Sequence, residues 1–289
     1  MDTSDPPPGP QAGPALQAAL VRAVLAAALA EADRPVRRAV LGAVLAGVEL
    51  GGPGGPRAGL ASRTVGAPGA PGLPGMPASA HALAGGLAGA CAAPGPAGPG
   101  QPQGLPAEGA DAAALGLAAA LALLPVPGKA RPGKGQELLL AAGRGRRVAV
   151  VGHFPFVERL GGAFAALSVL ELRPRPGDLP AALAARVLPG ADVVAITGSA
   201  LHNGTLGGLL ALCRPGARVV LLGPSAPLVP ALLELGVDAL AGAVSATRAP
   251  PWTARPGACP YAGWRAWSPC FWPAGIFLTF RVDRTGGRG

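Results

Sequence analysis

Four short runs of aliphatic and β-branched residues recur at even spacing between residues 146 and 225, and each ends in small or polar residues: RRVAVVGHFPF, LSVLELRP, ADVVAITGSALHNGT and ARVVLLGPSAP. Each intervening segment is long enough for one crossover helix, which is the pattern of an α/β unit with a parallel sheet. The pattern predicts strands at 147–151, 168–172, 192–197 and 217–222, with helices at 157–166, 179–188, 206–213 and 227–235. A fifth short strand is expected at 237–240, bounded by Gly236 and Gly242. The apolar runs are continuous rather than alternating, as in strands buried on both faces.

The first half is patterned more weakly. Leu16, Leu20, Val24 and Ala28, with Val21 and Leu25, mark one face of a helix over 15–32, after a leader (1–14) read as disordered. A single strand is expected over 36–50, and residues 51–75 are so rich in Gly and Pro that only turns and one extended piece near 62–65 are expected. A helix is expected at 79–92 and a loop at 93–108. DAAALGLAAALALL (111–124) predicts a helix with an Asp cap and a Pro stop, and a short helix at 136–142 leads into the first strand. An N-terminal unit over 15–135, a sheet unit over 136–249 and a tail over 250–289 follow. The tail carries all four Trp residues and a closing edge strand at 276–282, and is an alternative interaction module.

Composition changes this picture in two places. Gly (46) and Pro (35) together make about 28% of 289 residues, a level typical of low complexity, yet half the residues are hydrophobic and only 13% are charged. A folded chain with Gly/Pro/Ala-biased parts is the expectation, and the biased half, with few large side chains, is expected to be the less stable one. The net charge of +9 comes mostly from scattered Arg; the one tight group is Arg144, Arg146 and Arg147 before the first strand, a solvated surface rather than a nucleic-acid patch. The four cysteines form no CxxC pair, so reduced thiols are expected. The apolar stretch 112–124 is far short of the ~20 residues a membrane span requires. A soluble cytoplasmic protein with no membrane and no nucleic-acid partner follows, with homo-oligomerisation open.

In an open doubly wound sheet, ligands sit beyond the carboxyl ends of the strands where strand order reverses. That places four patches around one crevice: Gly152, His153 and Phe154 with Pro155; Glu171 with Arg173; Thr197, Gly198 and Ser199 with His202, Asn203 and Thr205; and Gly223, Pro224 and Ser225. A dinucleotide needs close backbone approach after the first strand. The bulky His153, Phe154 and Pro155 stand there instead, so no NAD is expected. Glu171 ends the second strand, where a ribose-binding acid sits in such folds, which keeps a nucleoside-like cofactor such as S-adenosylmethionine as the alternative. His153 reads as a metal ligand, a general acid, or a loop histidine fixed by backbone hydrogen bonds. His202 with Asn203 reads as a helix-capping turn in which Asn203 or Thr205 is the cap. The 197–199 segment presents groups to an anion or is simply a tight turn. No nucleophile elbow surrounds Ser199 or Ser225. For a divalent or heavy-metal ion, His153 with Glu171 is a better pair than the cysteines.

VAVVGHFPFVERL, SVLEL with Pro174 to Asp178, LPGADVVAITGSALHNGTL and VVLLGPSAPLVPALLELGVDALAG together resemble the "putative heavy-metal chelation" domain family, a family of unknown function, over about 146–244. The resemblance implies a Rossmann-like domain, commonly preceded by an enolase-N-terminal-like one. GLASRT (59–64) and GLAA (116–119) are similar to fragments of that preceding domain, while the Asn it places in the Ala-rich helix is absent. The likeness falls on Gly152, His153, Pro155, Glu171, Gly177, Asp178, Thr197, Asn203, Thr205, Gly223, Pro224 and Pro227, with Gly177 and Asp178 read as capping a helix from 179. The fold expected is α/β: a Rossmann-like, doubly wound, mostly parallel sheet in the C-terminal half, with a smaller α+β N-terminal domain. The function implied is chelation of a metal or binding of another small polar molecule in the cleft.

Overall fold

In the first half, small residues let backbones approach closely enough to pack. The structure is a computed structural model and describes residues 12–42, 44–63, 78–91, 107–245 and 277–283. Helix α1 (Ala12–Leu29) begins inside the expected leader and fully buries Leu20, Val21, Val24 and Ala28 on one face. Strands β1 (Val36–Leu41), β2 (Leu45–Leu50) and β3 (Arg57–Ser62) form an antiparallel sheet in that order. The single strand expected over 36–50 is thus a tight hairpin, closed by the Gly42 amide donating to the Leu45 carbonyl at 2.8 Å. Of the extended piece near 62–65, Ser62 closes β3, and residues 64 and 65 lie outside the described residues. Helix α2 (Ala80–Ala84) runs on as a 3-10 turn (Gly85–Cys91), and helix α3 (Ala107–Leu123) lies across β3 and that turn. A Cβ at Gly59 would stand 2.0 Å from the Ala118 carbonyl oxygen, and one at Gly116 2.3 Å from the Leu87 nitrogen. These glycines are the contact points of a close-packed layer.

The second half contains strand β4 (Arg131–Pro132), helix α4 (Gly135–Gly143), strand β5 (Arg147–Val151), helix α5 (Val157–Leu160), strand β6 (Ala166–Glu171) and strand β7 (Leu179–Pro180). Then come helix α6 (Ala184–Val187), strand β8 (Val193–Thr197), helix α7 (Ser199–His202), helix α8 (Leu206–Leu212), strand β9 (Arg218–Leu222), strand β10 (Ala239–Ser245) and strand β11 (Phe277–Asp283). The sheet order is β4-β11-β10-β9-β8-β5-β6-β7, with β10 through β7 parallel and β11 antiparallel to both its neighbours. The strand expected to close the edge at 276–282 is present, one residue later, but lies inside β4 rather than at the edge. The crossover at 157–166 is only a short helix and a 3-10 turn, with Gly161 and Gly162 at the break. The one at 179–188 starts as strand β7, and 227–235 is a 3-10 turn from Pro230. Pro180 and Pro230 account for the latter two, since a proline holds the residue before it, Leu179 or Val229, out of the helical region.

Successive residues of the central strands face opposite sides. Val148, Val150, Val193 and Ala195 pack with Leu138, Leu139 and Phe164 on one side, whereas Ala149, Val151, Val194 and Ile196 join a continuous core with α1, α3 and the three-stranded sheet. Gln17 pins this second side. Its buried amide donates to the carbonyls of Ala90 (3.1 Å) and Leu201 (2.8 Å) and accepts from the Gly207 amide at 2.9 Å. Beside it, a Cβ on Gly207 would stand 2.3 Å from the Gly13 oxygen, so α1 and α8 meet backbone to backbone.

Candidate functional site

Strand order reverses between β5 and β8, the two central parallel strands, since β6 and β7 lie to one side and β9 and β10 to the other. The expected crevice therefore opens beyond Val151 and Thr197. The four patches meet there. A Cβ on Gly152 (φ +98°) would stand 3.0 Å from Thr197 Cβ, and one on Gly223 3.4 Å from the Phe154 ring, which stacks on Phe156 at 5.3 Å. At Gly198 the loop after β9 comes closest: a Cβ would stand 2.4 Å from the Ser225 carbonyl carbon and 2.3 Å from the Ala226 nitrogen.

His153 is the centre of the arrangement. Its side chain is 9% exposed, and its Nδ1 lies 3.0 Å from both oxygens of Asp178, itself 4% exposed. The Asp178 carboxylate also accepts the Arg175 amide at 3.0 Å, which folds the 174–178 loop back over the first strand end. Asp178 therefore faces histidine and does not cap a helix from 179; the segment after it is β7. His153 Nε2 is left toward solvent, where the exposed Glu158 carboxylate stands 3.8 Å away. Glu171 fixes the backbone rather than the ring: Oε2 accepts the His153 amide at 2.8 Å, and Oε1 accepts the amides of Leu172 (2.7 Å) and Arg173 (3.4 Å). Asp178 and Glu158 are the residues that sequence reasoning did not assign to the site. Glu158 lies five residues after His153, as the second residue of α5.

The third and fourth patches are largely self-satisfied. Thr197 Oγ1 and Ser199 Oγ share a hydrogen bond at 3.0 Å, and Asn203 Oδ1 accepts from the Thr205 amide (3.1 Å) and hydroxyl (2.7 Å); this ties the turn before α8, but neither the Asn203 nor the Thr205 side chain caps the helix as expected. Ser225 Oγ accepts the Ser62 amide at 2.7 Å and donates to Ser62 Oγ at 3.2 Å, so the end of β3 is tied to the fourth strand end. Next to it, Arg63, with its side chain 2% exposed, makes a two-pronged contact with Asp111 and donates to the Gly42 carbonyl at 2.6 Å. His202 lies wholly buried beneath this seam. Among the described residues neither ring nitrogen has a hydrogen-bond partner of ordinary geometry, although the Ser62 backbone is close enough to favour the charged ring slightly. Burial dominates and pushes its pKa down to about 4.

Among the described residues no three His, Cys, Asp or Glu side chains gather as a metal cluster. Cys91 and Cys213 are free thiols, and burial, with the Asp238 charge, pushes Cys213 up to about 12. Cys259, Cys270 and the four Trp residues lie outside the described residues. Among the described residues no helix is long and apolar enough to cross a membrane.

A family model described as "putative heavy-metal chelation" (DUF364) matches residues 135–250. Among solved structures, the crystal structure of a DUF364-family protein of unknown function from Desulfitobacterium hafniense is 21% identical and aligns over 92% of this chain and 98% of its own, with a TM-score of 0.66. Another of unknown function, from Pyrococcus horikoshii, is 17% identical and aligns over 93% of this chain and 100% of its own, with a TM-score of 0.60. No curated protein matches the chain. At these identities the likeness is one of fold, and it extends over the first half as well as the parallel sheet. The stretch that matches the DUF364 model, residues 135–250, carries the six parallel strands and the His153–Asp178 pair.

Proposed function

We propose that the protein binds a metal ion, most readily as a complex that brings its own further ligands, at the carboxyl ends of the parallel strands, with His153 Nε2 as the ligating atom. One observation carries this reading: a nearly buried imidazole at the point of strand reversal, with Nδ1 held by a buried carboxylate and Nε2 left free. Metal-binding histidines characteristically donate their second ring N–H to a carboxylate, which fixes the tautomer and raises the basicity of the ligating nitrogen. The residues fit an open site. His153 with Glu158 makes a nitrogen and oxygen donor pair suited to a borderline divalent ion, and a two-donor set leaves coordination positions for small polar ligands. Asp178 orients the ring, Glu171 holds the His153 backbone, and Gly152, Gly198 and Gly223 let the flanking loops approach.

The alternative, an enzyme or transferase with a nucleoside-like cofactor such as S-adenosylmethionine, would use Glu171 on ribose hydroxyls. Three backbone amides already occupy that carboxylate, which favours the metal reading. Calorimetric titration with Zn2+ or Ni2+ separates the two. Binding that disappears in His153→Ala and weakens by about 10–100-fold in Asp178→Asn is expected. Equal binding by wild type and His153→Ala would remove the assignment, and saturable stabilisation by a nucleoside with no metal binding would favour the alternative.

A further inference from the structure

Away from the strand-end cleft, at the far end of β3, the turn joining β2 to β3 collects three guanidinium groups. Gly52, Gly54 and Gly55 all have positive φ (+111°, +78° and +92°), a conformation open to glycine at little cost. The Arg34 guanidinium lies against this turn. A Cβ on Gly52 would stand 3.3 Å from its Nε and 3.5 Å from its Nη2, and Nη2 donates to the Pro53 carbonyl. Arg34 is only 8% exposed, and its buried Nη1 has no partner among the described residues. Arg37 occupies the irregularity in the β1–β2 register, and its side chain runs across Gly51, where a Cβ would stand 2.5 Å from its Nε. Arg57, at the other end of the turn, uses Nη1 on the Leu123 carbonyl at 2.8 Å; burial, and after it the Arg57 charge, lowers the pKa of Arg34.

Asp33, the neighbour of Arg34, does not neutralise this group. Asp33 spends one oxygen on the Arg34 and His81 amides and the other on the Ser79 hydroxyl. Among the described residues no carboxylate pairs with Arg34, Arg37 or Arg57. A buried guanidinium with an unused donor and a like charge beside it is costly unless an anion completes it. Arginine forks match tetrahedral oxyanions with two parallel N–H···O bonds.

We propose that the 51–55 turn with Arg34, Arg37 and Arg57 is a binding site for a phosphate-type oxyanion, either free phosphate or the phosphate group of a small ester. The turn reaches open space at Gly54, and the exposed Arg37 and Arg57 flank it, so an anion entering there meets two solvated cations before the buried one. The site is independent of His153, so the two assignments fail or stand separately.

The test is titration of the full-length protein with inorganic phosphate, methyl phosphate and, at matched ionic strength, acetate, followed by thermal shift and calorimetry. Saturable stabilisation by either phosphate species and not by acetate is expected, and the tighter of the two identifies the source. Arg37→Gln and Arg57→Gln, at exposed positions that leave the core intact, should each weaken it by about tenfold or more, and His153→Ala should leave it unchanged. Arg34→Gln should abolish it; if that variant does not fold, the two exposed variants decide. Stabilisation that does not saturate, that acetate reproduces, or that persists in Arg37→Gln and Arg57→Gln would overturn the proposal.

Discussion

Acidification should destabilise this protein through His202. His202 is fully buried, and its ring is held neutral because burial drives its pKa from 6.5 to about 4. In the unfolded chain the ring titrates at its ordinary value, so between pH 6.5 and 4 the unfolded state binds a proton that the folded state refuses. Stability is therefore unaffected by this group above pH 6.5, falls as pH drops through the window, and levels off below about 4. A gap of that size corresponds to about 3 kcal/mol at the acid limit, most of it lost by pH 4.5. Other groups titrate in the same range, so the informative quantity is the difference between wild type and His202→Leu, which removes the ionisable ring at similar volume. Urea unfolding followed by far-UV circular dichroism at pH 7.5 and 4.5 measures it. The variant should gain about 2–3 kcal/mol relative to wild type between the two pH values, about 1 M in urea midpoint. A relative stability constant to within about 0.5 kcal/mol would refute the burial of a neutral ring.

Three further outcomes follow from packing and pairing. Gly198→Ala places a Cβ 2.3 Å from the Ala226 nitrogen, so it should cost about 1–3 kcal/mol of stability and misplace the 223–226 loop, read as a lower melting temperature with weaker metal binding. Gln17→Ala leaves the Ala90 and Leu201 carbonyls and the Gly207 amide without their buried partner, and should cost about 2–4 kcal/mol by chemical denaturation. Asp111→Ala strips the buried Arg63 guanidinium of its two-pronged carboxylate and should cost about 2–3 kcal/mol, discounted because Asp111 is partly solvated; Arg63→Met in the same background should recover part of that loss.

The parallel sheet was legible because its central strands are buried on both faces and so must be continuous apolar runs: strands over 147–151, 193–197 and 218–222 fall within a residue of expectation. The β1–β2 hairpin was not legible. The sequence between Leu41 and Leu45 carries no Asn-Gly or Asp-Gly pair, and the Ala of β1 with the Ala and Gly of β2 blurs the alternation that would separate the strands. Close approaches such as Gly59 on Ala118 are properties of the packed state, since a glycine in the sequence does not announce what it touches. In the site, position at a strand end singled out His153 and Glu171. The pairing of His153 with Asp178 spans 25 residues and depends on how the 174–178 loop returns, and Ser62 reaches Ser225 across 163 residues. Both Glu171 and Asp178 are polar residues near strand ends; only the folded geometry decides that the first binds backbone and the second binds the ring.

Metal binding at the strand ends rests on one atom, His153 Nε2, and the chain has only three histidines to resolve. Long-range 15N–1H correlation spectra of the imidazoles report the tautomer and any metal bond directly. His153 should carry its proton on Nδ1, against Asp178, and saturating Zn2+ should shift the Nε2 resonance while His81 and His202 stay in place. A His153 ring protonated on Nε2, or an Nε2 signal that Zn2+ leaves unmoved, would contradict it.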